Sequence, residues 1–144
     1  MGVPPIAGSV ARTACQAGIV RLSEPRSLSP TESAIVDALL APDFDGASEL
    51  RAQSAQTQVV GRCDCGCPTI DLAVTGNAPA AMHNASGPTP FEGIASDAQG
   101  QPIGDILLFV VDGYLSSLEY VSHAEPPPSD WPAAARVSLL GPLR

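Results

Sequence analysis

Lysine is missing from this 144-residue chain; all seven of its basic residues are arginine. That excludes Schiff-base catalysis and the phosphate-binding lysine of nucleotide loops. Aromatic residues make up only 4% and charged residues 15% of the chain. Imidazole chemistry has just two sources, His83 and His123. No Gly-x-Ser-x-Gly, His-Glu-x-x-His, Gly-x-Gly-x-x-Gly or phosphate-loop pattern occurs. No apolar run approaches the roughly 20 residues that a membrane helix needs. The mildly apolar stretch from Ala7 to Val20 is broken by Arg12 and Gln16, so it forms no clean signal sequence. The expectation is a reducing cytoplasm, where cysteines serve as thiols or ligands more often than as bridges.

What the chain does hold is acid, proline and clustered sulfur. Its 15 acidic residues against seven arginines give a net charge of −8. Residues 1–27 contribute Arg12, Arg21 and Arg26 against Glu24, or +2, leaving −10 for the remainder. Such a body repels phosphate backbones and disfavours nucleic acid, while remaining compatible with a basic protein partner. Solubility alone is the simpler reading of the same charge. Fifteen prolines imply long irregular connections around a compact centre.

Residues 1–27 show no sustained period and read as a flexible N-terminal extension. A single domain is expected over residues 28–144. Ser29-Pro30-Thr31-Glu32 is a helix entry, with Ser29 as N-cap, Pro30 at N1 and Glu32 closing a capping box. Ala34, Ile35, Ala38 and Leu39 form its apolar stripe, and Pro42 ends it near Leu40. Asp45 is expected to cap a second helix through about Gln53. Strands are expected from Thr57 to Cys63, Thr69 to Thr75 and Phe91 to Ala95, with 76–90 as a loop. A second hairpin, Asp105 to Val111 with Tyr114 to Ser122, turns at Asp112-Gly113, the favoured pair where both turn residues need positive φ. A two-residue turn sets Val111 opposite Tyr114, Phe109 opposite Ser116, Leu107 opposite Leu118 and Asp105 opposite Tyr120. A short helix capped by Ser129 is expected near the end. The fold class that follows is α+β: two N-terminal helices packed on a four- to five-stranded antiparallel sheet.

Three of the four cysteines fall within five residues, at Cys63, Cys65 and Cys67. Three thiolates need one further donor to complete a zinc site, and His83, His123 or Cys15 can supply it. The Cys-x-Cys spacing is tighter than the usual Cys-x2-Cys knuckle. Thiol exchange and a plain turn of small buried residues compete with metal binding as readings. Each histidine is read as solvent-facing or locally hydrogen-bonded. Tyr114, Glu119 and Tyr120 are candidate partner-binding residues, in a patch with Phe109 and Trp131 ringed by Asp112 and Asp130. The alternative is that these aromatics pack beneath the helices. No catalytic residue is assigned. Asn84-Ala85-Ser86 matches a glycosylation acceptor, which has meaning only in a secreted protein.

The strings Gly61-Arg62-Cys63-Asp64-Cys65-Gly66-Cys67-Pro68-Thr69-Ile70-Asp71-Leu72 and Leu107-Leu108-Phe109-Val110 through Asp112-Gly113-Tyr114-Leu115-Ser116-Ser117-Leu118-Glu119-Tyr120 occur together. The pair resembles a group of small bacterial proteins, chiefly actinobacterial, that join a helical start to a cysteine-bearing hairpin and a D-G-x-L-S-x-L-E hairpin. The resemblance spans about Leu28 to Trp131 and implies fold and boundaries, with no activity attached. The L-S-x-L-E ending is also similar to that of some toxin-immunity proteins. The functional expectation is a small acidic, non-catalytic binding or regulatory protein. The alternative is a thiolate zinc-binding or thiol redox protein centred on the three cysteines.

Overall fold

Sheet dominates the architecture. The structure, a computed structural model, describes residues 18–82 and 87–142. Cys15, His83 and the Asn84-Ala85-Ser86 acceptor lie outside that range. Eight strands form one antiparallel sheet: β1 Ile19–Ser27, β2 Thr57–Cys63, β3 Ile70–Val74, β4 Gly87–Pro88, β5 Phe91–Ser96, β6 Pro102–Val111, β7 Tyr114–Ser122 and β8 Val137–Pro142. They lie in the order β1-β2-β3-β7-β6-β5-β8, with the two-residue β4 added alongside β6. Two short helices, α1 Pro30–Leu39 and α2 Ala47–Ser54, pack on one face. The expected sheet of four to five strands beneath two N-terminal helices is therefore corrected to an eight-stranded sheet in which the helices are the minor layer.

Both additional edges come from segments with weak sequence patterns. Ile19–Ser27, expected within a flexible extension, is a strand paired to β2 through Ile19 with Cys63, Val20 with Arg62 and Arg21 with Gly61. The register then shifts between Arg21 and Arg26, around Pro25. A proline and mixed charges suit an edge strand, whose outer backbone needs no ladder and whose side chains face water. At the other end, the expected Ser129-capped helix is absent. Residues 129–133 are irregular, a 3-10 turn covers Ala134–Arg136, and β8 pairs with β5.

The helices obey their local signals more closely. Ser29 Oγ accepts the Glu32 N–H at 3.1 Å, and Glu32 Oε1 accepts the Ser29 N–H at 2.8 Å. The same carboxylate takes two bonds from Arg26, at 2.9 and 3.0 Å, tying β1 to the helix start. The α2 cap is not Asp45: Gly46, in left-handed backbone at φ 89°, makes the entry without a side-chain bond. Arg51 of α2 donates to the carbonyls of Leu40, Ala41 and Pro42 at 2.7, 2.9 and 2.8 Å. Leu40 is the C-cap of α1, where carbonyls lose their helical partners, and Ala41 and Pro42 follow it.

The central hairpin departs from its expected register in one residue. Asp112 and Gly113 adopt φ 53° and 85°, as the two-residue turn requires. Val111 faces Tyr114 and Val110 faces Leu115, but Phe109 then faces Ser117, not Ser116. Ser116 is an extra residue, a β-bulge. Beyond it every expected pair moves by one, giving Leu108 with Leu118, Leu107 with Glu119, Ile106 with Tyr120 and Asp105 with Val121. In the unbulged register, Ser117 and Glu119 would stand opposite Leu108 and Ile106, both fully buried. The bulge instead delivers Leu118 and Tyr120 to that face, where they are 0% and 1% exposed. A one-residue slip exchanges the faces of a strand, and burial of two large apolar side chains selects this one.

The core is the layer between this face and the helices: Ile35, Val36, Leu39 and Leu50 against Val59, Leu72, Ile106, Leu108, Leu118 and Tyr120. The polar side chain of Gln53 is also fully buried. Gln53 donates to Pro79 O and Gly113 O at 2.7 and 2.8 Å and accepts the Leu115 N–H at 2.9 Å. It thereby fastens α2 to the Asp-Gly turn with its hydrogen-bonding groups occupied.

Candidate thiol centre

The corner between β2 and β3 begins as a β-turn over Cys63–Gly66. The Gly66 N–H donates to Cys63 O at 3.4 Å, and Gly66 sits at φ 94°, a conformation that glycine adopts without a Cβ clash. Two further bonds fix its base. The Cys63 N–H donates to Thr69 O at 3.0 Å, and the Asp64 N–H donates to Gly18 O at 2.9 Å. Thr69 Oγ1 accepts the Tyr120 N–H at 2.9 Å, so β7 of the Asp-Gly hairpin carries one side of the corner.

This folding gathers the sulfurs. Cys63, Cys65 and Cys67 place their Sγ atoms within 4.8 Å of one another, and these residues could hold a metal ion. Cys63 and Cys67 are buried and Cys65 is exposed. Cys63 and Cys65 Sγ are 3.1 Å apart. Two backbone amides point at sulfur: the Cys65 N–H donates to Cys63 Sγ at 3.5 Å, and the Cys67 N–H to Cys65 Sγ at 3.4 Å. Burial pushes the Cys67 thiol above its ordinary pKa, against hydrogen bonding with Thr69 that acts the other way. The oxidation states also differ. Cys63 is disulfide-bonded, whereas Cys65 and Cys67 retain their thiols.

Of the fourth donors expected from the sequence, His123 stands elsewhere, with Nε2 3.2 Å from Asp105 Oδ1. Among the described residues the metal-ligating cluster consists of the three cysteines alone. The residues expected to meet a partner differ in exposure. Tyr114 is 40% exposed at the hairpin tip, Glu119 is half-buried, and Tyr120 is inside the core with its hydroxyl donating to Ile103 O at 3.3 Å. Trp131 meets the Tyr120 ring edge-on at 6.1 Å, as in the reading that packs these aromatics inside. Tyr120 thus lies in the core, brought there by the bulge at Ser116.

A cleft of about 480 Å³ opens beside the corner. Cys63, Cys67, Arg62, Arg26, Glu32 and Trp131 are among the residues that line it. The Trp131 indole N–H is buried and finds no acceptor among the described residues. Nothing in the local sequence linked Trp131 or the Arg26–Glu32 pair to the cysteines, because each lies on a different element. The capping box, which puts Glu32 at the start of α1, was the only usable signal. No helix among the described residues is long and apolar enough to cross a membrane. Comparison of the chain with family models, with curated proteins and with solved structures finds no match.

Proposed function

We propose that the protein binds a soft metal ion, with zinc as the first candidate, through Cys63, Cys65 and Cys67 in their reduced state. The observation that carries this reading is the convergence of three sulfurs within 4.8 Å. Tetrahedral zinc with Zn–S bonds of about 2.3 Å sets its sulfurs about 3.8 Å apart. The Cys63–Cys65 pair, at 3.1 Å, must open slightly to reach that spacing, which falls inside the 4.8 Å that spans the three sulfurs. The two N–H···S contacts supply the kind of outer-shell bonding that orients thiolate ligands. Ligation by Cys63 requires prior reduction of its disulfide, since a bonded sulfur offers no thiolate. Elemental analysis of protein reduced and purified without chelator tests the reading. About one zinc per chain, lost in a triple Cys→Ser variant, is expected for a three-thiolate site. Metal-free protein that takes up neither zinc nor cobalt after reduction would overturn it.

A second reading, an acidic non-catalytic protein that binds a basic partner, is supported by the net charge of −8 and by the Asp-Gly tip. There Val111 and Tyr114 form a cross-strand pair with exposures of 50% and 40%. Its test is a partner recovered reproducibly by the native protein and lost with Tyr114→Ala. Recovery that is unaffected by that substitution would remove the tip from consideration.

A further inference from the structure

The cleft beside the corner has features that the cysteines do not explain. Its volume of about 480 Å³ falls within the roughly 300–1,000 Å³ typical of sites for small organic molecules. Pro68, Ile70 and the ring of Trp131 give it apolar surface, and Arg62 of β2 brings a guanidinium. The charged groups of the lining are not equivalent. Arg26 is committed to Glu32, holding its two oxygens at 2.9 and 3.0 Å, so that pair is neutral toward a ligand. The Arg62 side chain is exposed and makes no ion pair or hydrogen bond among the described residues. The Trp131 indole N–H is buried and lacks an acceptor among the same residues. Buried donors without acceptors are rare, and one in the wall of a cleft is accounted for by an acceptor from outside the chain.

We propose that this cleft binds a small organic carboxylate carrying one negative charge. The carboxylate accepts from Arg62, whose planar fork matches its two oxygens. The apolar body of the ligand lies against Pro68, Ile70 and the indole ring. The indole nitrogen has no open surface in the empty cleft, so the ring turns slightly to donate to the same carboxylate. One uncommitted guanidinium suits one negative charge. Inorganic phosphate, with more charge and no apolar body, is the poorer match. Asp130 also lines the cleft, exposed, and opposes the anion, which keeps the affinity modest. None of the ligand's contacts is a sulfur, so the site does not depend on metal at the corner.

Trp131 is the only tryptophan of the chain, so tryptophan fluorescence reports on the cleft directly. The full chain is titrated at constant ionic strength with phenylacetate. Methyl phenylacetate serves as the uncharged counterpart and inorganic phosphate as the anion without an apolar body. Phenylacetate is expected to change the emission saturably in the millimolar range, and each control to do so far more weakly. Arg62→Ala is expected to weaken phenylacetate about tenfold or more, as loss of a charge-assisted pair does. Arg62 is exposed, and unchanged far-ultraviolet circular dichroism confirms that the variant folds. Asp130→Asn is expected to leave binding equal or tighter. No saturable change with phenylacetate, an equal response to either control, a response untouched by Arg62→Ala, or weakening by Asp130→Asn would each overturn the proposal. A response that appears only after zinc is added would assign the anion to the metal and overturn it as well. Zinc content measured separately under reduction decides the metal reading.

Discussion

The hairpin of β6 and β7 turns in two residues, Asp112-Gly113, and its tip is clamped by the enclosed amide of Gln53. The hairpin of β2 and β3 spends the six residues from Asp64 to Thr69 on its corner. That corner is held by backbone bonds to Gly18 and Thr69 and opens onto a cleft. In the first, apolar pairs such as Leu108 with Leu118 and Ile106 with Tyr120 are sealed under the helices. In the second, the reactive side chains are sulfurs, one of them in water. The contrast teaches a division of labour within one sheet. Stability concentrates where register is enforced by burial, and chemistry sits where the chain is long enough to bend sulfur toward sulfur. Thr69 joins the two, because its hydroxyl accepts from the Tyr120 amide while its carbonyl holds Cys63.

The most drastic way to break this contrast is to spoil the face that the bulge selects. Leu118→Asp places a carboxylate at a fully buried position opposite Leu108. A loss of more than about 4 kcal/mol is expected, enough to abolish cooperative urea unfolding. Next comes Gln53→Leu, which removes the side-chain partner of the Leu115 N–H and of the Pro79 carbonyl in a dry environment, while the Gly113 carbonyl keeps the Ala81 N–H. About 2–4 kcal/mol of destabilisation is expected from chemical denaturation, and a loss under 1 kcal/mol would show the clamp to be dispensable. Gly113→Ala is expected to cost about 1–3 kcal/mol, since φ is 85° and the new Cβ would lie 2.6 Å from Ala81 O.

Smaller effects are expected near the corner. Burial works to raise the Glu32 pKa, but the Arg26 side chain and the Ser29 amide together draw it below its ordinary 4.5. A depressed carboxylate stabilises the fold above its unfolded pKa, and this contribution disappears as pH falls through the lower folded value. Glu32→Gln keeps a capping acceptor and loses only the ion pair with the half-exposed Arg26, so about 1 kcal/mol is expected at neutral pH. Thermal melts of the two proteins should converge in acid; a gap that persists there would assign the effect to packing. Smallest of all is Cys65→Ser, expected to shift stability by less than about 0.5 kcal/mol because the side chain is exposed. Its consequence should appear in metal content.

How far each region could be read in advance followed from how local its causes are. The α1 capping box, the Asp-Gly turn and the limits of β2 are set by neighbours in sequence, and all three appear as expected. The bulge at Ser116 was illegible, because Ser116 and Ser117 are alike as residues. Only the positions of Leu118 and Tyr120 against Leu108 and Ile106 distinguish the registers. The edge strands β1 and β8 carry no alternation because most of their described side chains are exposed, with Leu22 and Val137 packed partly buried against the core. The cysteine cluster was visible as spacing. Its unequal burial and its neighbours Arg26, Glu32 and Trp131 were not, since four separate elements converge there.

Residue order alone settles the positions of the turns, the start of the first helix, the excess negative charge and the placing of three sulfurs within five residues. Each of these rests on backbone dihedrals, short-range bonding or simple counting. The eight-strand width of the sheet, the bulged register and the cleft beside the thiols arise only when distant segments compete for one buried face. Burial is a property of the assembled layers, and no stretch of neighbouring residues carries it in advance.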